Sequence, residues 1–248
     1  ICACLVGSEM CIRDRFEKLL ADNPSLAPFA QARVIRAYMA DADGVEAAIL
    51  EQRDIESRPW PSGKPGSEPV EISQLHFQTR YGIPEIGRAI EVSGYDLEFL
   101  HVMDGLEALL QRSGVQFLPR HLSRIQIAKL SRAHFVVTAM GVEEPEVRAI
   151  IGWFFKLRAV ENEGVQMRGL KLQYDLPIGV MNCRLDGDHI LVSGGQVPPD
   201  STPEEKKQIL EACLAAVSRH FPKSYQRAIE RGDLHITDCA RPGTSDGL

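Results

Sequence analysis

Cys183, His189, His235 and Cys239 are spaced C-x5-H and H-x3-C. Zinc takes thiolate and imidazole ligands of this kind. Strand geometry argues against a site here. Asp186-Gly187 is a strong signal for a two-residue hairpin turn. With that turn Cys183 faces Ile190 and shares the apolar side with Leu185 and Val192, while His189 points the other way. Within one extended strand, His235 and Cys239 stand roughly 13 Å apart. The expectation is a core cysteine, surface histidines and no metal.

Other residues invite chemistry and receive plainer readings. His134 lies in the apolar run Ala133–Met140. A histidine there suits a haem ligand or a buried base, but a core histidine with a backbone partner is the simpler expectation. Glu98, His101, Asp104 and Glu107 recur every three residues. Such types do acid–base work, yet this spacing puts them opposite the Leu97/Leu100 stripe, as a solvated helix face. Val192-Ser193-Gly194-Gly195-Gln196 is similar to the signature of ABC ATPases. No G-x-x-x-x-G-K-[ST] phosphate loop accompanies it, so the glycines are read as ending a strand before Pro198-Pro199. No G-x-S-x-G elbow, H-E-x-x-H, dinucleotide fingerprint or CxxC pair occurs either.

The strongest local pattern is a helix-turn-helix at Ile83–Leu100. That motif needs apolar contacts between two helices, a small residue where they pack closest and a tight turn. Ile83, Ile86, Ile90, Val92, Leu97 and Leu100 take the apolar positions, Gly87 the small one, and Ser93 the cap of the second helix. The stretch Ile86-Gly-Arg-Ala-Ile-Glu-Val-Ser93 resembles the first half of bacterial helix-turn-helix regulators. It departs at Glu91, where glycine is usual, and its second helix, Gly94–Asp104, has no Arg or Lys. Base and phosphate readers need such donors. A weaker copy spans about Ala133–Ile151, with Gly141 at the turn; its second helix carries Arg148, Lys156 and Arg158 and opens with three glutamates. What the resemblance implies is a DNA- or partner-binding surface at Arg88, Ser93, Tyr95, Arg148, Lys156 and Arg158.

The elements that position these residues follow from periodicity and turn signals. Leu5–Arg15 looks like translated sequencing-adapter read-through, so residues 1–15 are expected to be non-native. Phe29, Ala32, Ile35 and Met39 recur at helical spacing, as do Val45, Ala48, Ile49 and Ile55, which predicts N-terminal helices over 16–56. Pro59–Pro69 holds four prolines and two glycines, a linker over 57–70. Residues 71–165 are expected to be helical, with Leu97, Leu100, Met103, Leu106 and Leu110 as one stripe and Pro145 in a first turn among Glu143, Glu144 and Glu146. Residues 166–240 change character. Leu170–Leu176, Gly179–Cys183 and His189–Ser193 are predicted strands. Thr202-Pro203-Glu204-Glu205 starts a helix with a capping box. A short helix over Ser224–Arg231, a strand over Leu234–Thr237 and a tail over 241–248 complete the reading.

The fold class expected is therefore α+β, mostly α: helical hairpins followed by a small β-hairpin/α/β region. The net charge of the 248 residues is −6. It offers phosphate backbones no general attraction. The longest apolar runs are far shorter than a bilayer span of about 20 residues. Beyond residue 15 the cysteines are Cys183, Cys213 and Cys239, an odd number, which fits a reducing, cytoplasmic compartment. The function expected is a regulatory or adaptor protein, with a protein partner or homodimer and DNA as a candidate ligand. No cofactor and no membrane are expected. The exposed partner face would be the acidic helix 95–107. The alternative is an enzyme with a site between the helical and C-terminal regions, near Arg184, His189 and His235 on a shared polar face.

Overall fold

The computed structural model describes residues 9–39, 43–59, 67–83, 86–97, 99–117, 123–130, 148–160, 163, 170–175, 178–198 and 200–243. In chain order come α1 (Glu9–Asp22), a 3-10 segment (Pro24–Phe29), β1 (Ala30–Met39), α2 (Val45–Ser57), β2 (Val70–Ile72), α3 (Gln74–Tyr81), β3 (Ile86–Leu97), α4 (Phe99–Arg112) and α5 (Arg124–Leu130). Then follow β4 (Arg148–Arg158), β5 (Leu170–Gln173), β6 (Val180–Asp186), β7 (His189–Val197), α6 (Pro203–His220), α7 (Pro222–Arg231) and β8 (His235–Gly243). Among the described residues no helix is long and apolar enough to cross a membrane.

All eight strands belong to one mixed sheet, ordered β2-β3-β1-β5-β6-β7-β4-β8. β1 and β5 run parallel, with Ile35 opposite Leu170 and Tyr38 opposite Gln173. Every other neighbouring pair is antiparallel. This overturns the mostly α expectation, because strands dominate the core. The sheet joins β1, from the segment expected to be N-terminal helices, to β5 in the C-terminal region.

The helix-turn-helix at Ile83–Leu100 is corrected to a strand. Ile86–Leu97 is β3, paired with β1 on one side and β2 on the other. Gly87, read as the close contact between two helices, is the extra residue of a β-bulge. The register moves from Tyr38↔Arg88 to Met39↔Ile86 across it. The second copy is described only over its last residues. Residues 131–147, including His134, Gly141 and Pro145, lie outside the described residues, and the stretch after them is β4. The helical pattern at Phe29–Met39 is, from Ala30 on, β1.

Two cores flank the sheet. On one face Ile35, Ala37, Leu170, Leu172, Met181, Cys183, Ile190, Val192, Phe155 and Leu157 pack with Phe77 and Tyr81 of α3 and with Ile209, Cys213, Val217, Phe221 and Ala228 of the C-terminal helices. On the other face Val34, Tyr38, Ile90 and Val92 meet Ile49 of α2. Each fully buried aliphatic side chain contributes about 1.5–3 kcal/mol. Strands buried on both faces carry apolar residues at successive positions.

Local signals in the C-terminal region match the structure more closely. The Thr202 hydroxyl accepts from the Glu205 amide (3.2 Å), and the Glu205 carboxylate accepts from the Thr202 amide (2.7 Å). That reciprocal cap starts α6. The β6–β7 turn is Gly187-Asp188, one residue later than expected, with Asp186 opposite His189 and Gly187 at φ 59°. Cys183 then faces Val192 instead of Ile190. The alternation is unchanged, so Cys183, Leu185, Ile190 and Val192 still share one face. The last strand runs to Gly243, three residues into the expected tail.

Candidate functional site

The carboxyl ends of the parallel strands β1 and β5 point the same way, and α2 follows β1 and packs on one face beside them. Open sheets commonly hold ligands outside the carboxyl ends of parallel strands. Here a cleft of about 340 Å³ lies between those ends and α2. Arg36 and Tyr38 of β1, Glu51 and Gln52 of α2, Gln173 of β5 and Asp175 just beyond it supply its polar groups. Alternation along β1 explains the choice. Ile35, Ala37 and Met39 face the larger core, so Arg36 and Tyr38 must face α2.

The lining groups are electrostatically uneven. Among the described residues the Arg36 Nε is buried without a hydrogen-bond partner. Burial holds the Tyr38 phenol above its ordinary value; the Arg36 cation acts against the rise and the Glu51 carboxylate adds to it. Both charged groups therefore act at the same hydroxyl. Both carboxylate oxygens of Asp175 lie 3.2 Å from the Asp43 amide, which ties the chain after β1 to the end of β5. Gln52 donates to Glu56 (3.0 Å), a carboxylate that is 2 % exposed and also accepts from the Ser67 hydroxyl and the Ser93 amide, both at 3.3 Å. These bonds fasten α2 to β3 beneath the cleft. The set offers an anion anchor at Arg36, carboxylates for a cationic group, and neutral donors and acceptors between them.

The residues expected to bind DNA or a partner do not come together. Arg88 pairs with Glu46 and, at 2.8 Å, with Glu71. Ser93 is hydrogen-bonded to Ser67 at 2.8 Å. Tyr95 sits opposite Ala32 in the sheet. Arg148, Lys156 and Arg158 are on β4, five strand spacings from β3, which is roughly 24 Å.

Lys156 and Arg158 instead join residues weighed for the enzyme alternative. Arg158 is opposite His189, Lys156 is opposite both Leu191 and His235, and Arg184 is opposite Leu191. Directly opposed residues share a face, so these five side chains belong to the sheet face that also carries Arg36. Asp188 bridges two of them, at 2.9 Å from Arg158 Nε and 2.7 Å from His189 Nδ1. Arg184 donates to the Leu97 carbonyl at 3.0 Å. Cys183 faces the opposite way, buried, with its thiol pushed up to about 12 by desolvation. The C-x5-H spacing thus straddles the sheet. His101, Asp104 and Glu107 are exposed on α4, and Glu98 lies outside the described residues.

Sequence reasoning missed the cleft. Its one legible signal was a charge, Arg36, inside the otherwise apolar run Val34–Met39. The rest of the lining comes from segments far apart in the chain. Comparison with protein families and with curated proteins finds no match to this chain.

Proposed function

We propose that this protein works by holding a small polar molecule in the cleft between α2 and the carboxyl ends of β1 and β5. The observation that carries the reading is Arg36. Its Nε is buried in the cleft wall with no hydrogen-bond partner among the described residues. An unmet buried donor on a charged group costs on the order of 1–3 kcal/mol, and an anionic group of a ligand set against the Arg36 guanidinium offsets that cost electrostatically. The cleft is a different place from the one the enzyme alternative expects: Arg184, His189 and His235 are not among its lining residues. The test is a thermal-shift screen of a broad metabolite library on the full chain, repeated with Arg36→Lys. A hit whose stabilisation disappears in the variant supports the reading. A screen without hits, or hits that ignore Arg36, would overturn it.

The regulatory or adaptor reading rests on a different observation. Lys156, Arg158, Arg184, His189 and His235 share one sheet face in a chain of net charge −6. Such a face suits an acidic protein segment or a single-stranded nucleic acid. Fluorescence anisotropy with oligo-dT and with a poly-glutamate peptide at low salt tests it. Binding that weakens with salt and with Lys156→Glu supports this reading, and flat titrations for both probes exclude it.

A further inference from the structure

We infer that the ligand of the cleft is a small zwitterion carrying a carboxylate and an ammonium group on a short chain, a conclusion that rests on the cleft being the binding site. Three features combine. Among the described residues the cleft holds one cation, Arg36, and the carboxylates Asp43, Glu51 and Asp175. Among the described residues no ion pair joins Arg36 to any of the three, although all line one cavity of about 340 Å³. A molecule carrying both complementary charges meets the Arg36 cation and the carboxylates at once, which neither a simple anion nor a simple amine does. The lining also carries the neutral polar groups Tyr38, Gln52 and Gln173.

Each charge has a defined task. The guanidinium accommodates a planar carboxylate with two parallel N–H donors. The ammonium, a compact cation with three donors, meets Glu51 and Asp175. Among the described residues carboxylates outnumber the cation by three to one in the lining, so an anion without an amine is disfavoured. A simple amine leaves Arg36 unmet. The zwitterion alone answers both ends.

The test is calorimetric titration of the full chain with β-alanine, 4-aminobutanoate and 6-aminohexanoate, which space the two charges progressively. Hexanoate and hexylamine are the single-charge controls. The expected result is one preferred amino acid, with both controls at least about tenfold weaker, the loss of one charge-assisted contact. Arg36→Lys keeps the charge and removes the planar fork, so it weakens the preferred zwitterion and leaves hexylamine unchanged. Glu51→Gln does the reverse, sparing hexanoate. If either control binds as tightly as the best zwitterion, or no zwitterion binds, the inference is overturned. The broader reading fails separately: a non-zwitterionic library hit that depends on Arg36 keeps the cleft as a site while rejecting this ligand class.

Discussion

The Tyr174 hydroxyl and Nε2 of His220 share a hydrogen bond, joining the segment just after β5 to the last residue of α6. His220 is 3 % exposed, and its Nδ1 is buried without a partner among the described residues. Tyr174 also lines the cleft, so this bond connects the cleft wall to the helical layer on the opposite side of the sheet.

His220 makes stability depend on pH. Desolvation, with help from the neighbouring Arg219 cation, lowers its value from the ordinary 6.5 to about 4. Above pH 6.5 the imidazole is neutral in both folded and unfolded chains. Between 6.5 and 4 the unfolded chain takes up a proton that the folded chain refuses, so stability falls as pH falls through that window. The loss is on the order of 3 kcal/mol once pH is below 4. Urea unfolding at pH 7 and pH 4.5 should give a smaller pH difference for His220→Asn than for the native chain. An equal difference in both proteins would assign the effect to other groups.

Tyr174→Phe should destabilise by about 1–3 kcal/mol, because it removes the remaining partner of a buried imidazole. Chemical denaturation at pH 7 measures this. The ring packing survives in the phenylalanine, so a neutral outcome would mean that the hydrogen bond adds nothing to stability.

Glu56→Ala should be costlier than its helical position suggests. The carboxylate, 2 % exposed, accepts from Gln52, Ser67 and Ser93, and the substitution removes all three bonds at once. A loss of about 2–4 kcal/mol is expected. Hydrogen exchange should then quicken at the Ser93 amide and along β3 near it. Unchanged protection there would show that α2 is held by its apolar face alone.

Gly195→Ala should lower the melting temperature. Gly195 has φ +78°, and an added Cβ would lie 3.1 Å from the Trp153 ring and 3.2 Å from Cys213 and Ile209. Both the left-handed backbone and the tight seat of α6 oppose a side chain, for a combined cost of about 2–4 kcal/mol. Ala at Gly187 (φ +59°), where nothing lies within 4 Å of the added Cβ, isolates the backbone part. If the two variants melt alike, packing against α6 contributes nothing.

What the sequence determined alone was whatever is settled within a few residues. The Thr202/Glu205 cap, the β6–β7 hairpin with Cys183 on its apolar face, and helices at 45–57, 99–112 and 222–231 are local events, driven by capping, turn chemistry and periodicity. Tertiary structure decided β1, β3 and β4. Ile86, Ala89 and Ile90 stand at i, i+3 and i+4, the spacing of a helical stripe, and in isolation that reading is reasonable. In the fold, the bulge at Gly87 puts Ile86 and Ala89 on one face of the sheet and Ile90 on the other. A strand buried on both faces has no solvent side to impose alternation, so its period is hidden until its partners are known. Those partners are distant in the chain: Arg36 is opposite Lys171 and Tyr38 opposite Gln173. The cleft exists only because that parallel pairing forms, which is why no local pattern announced it.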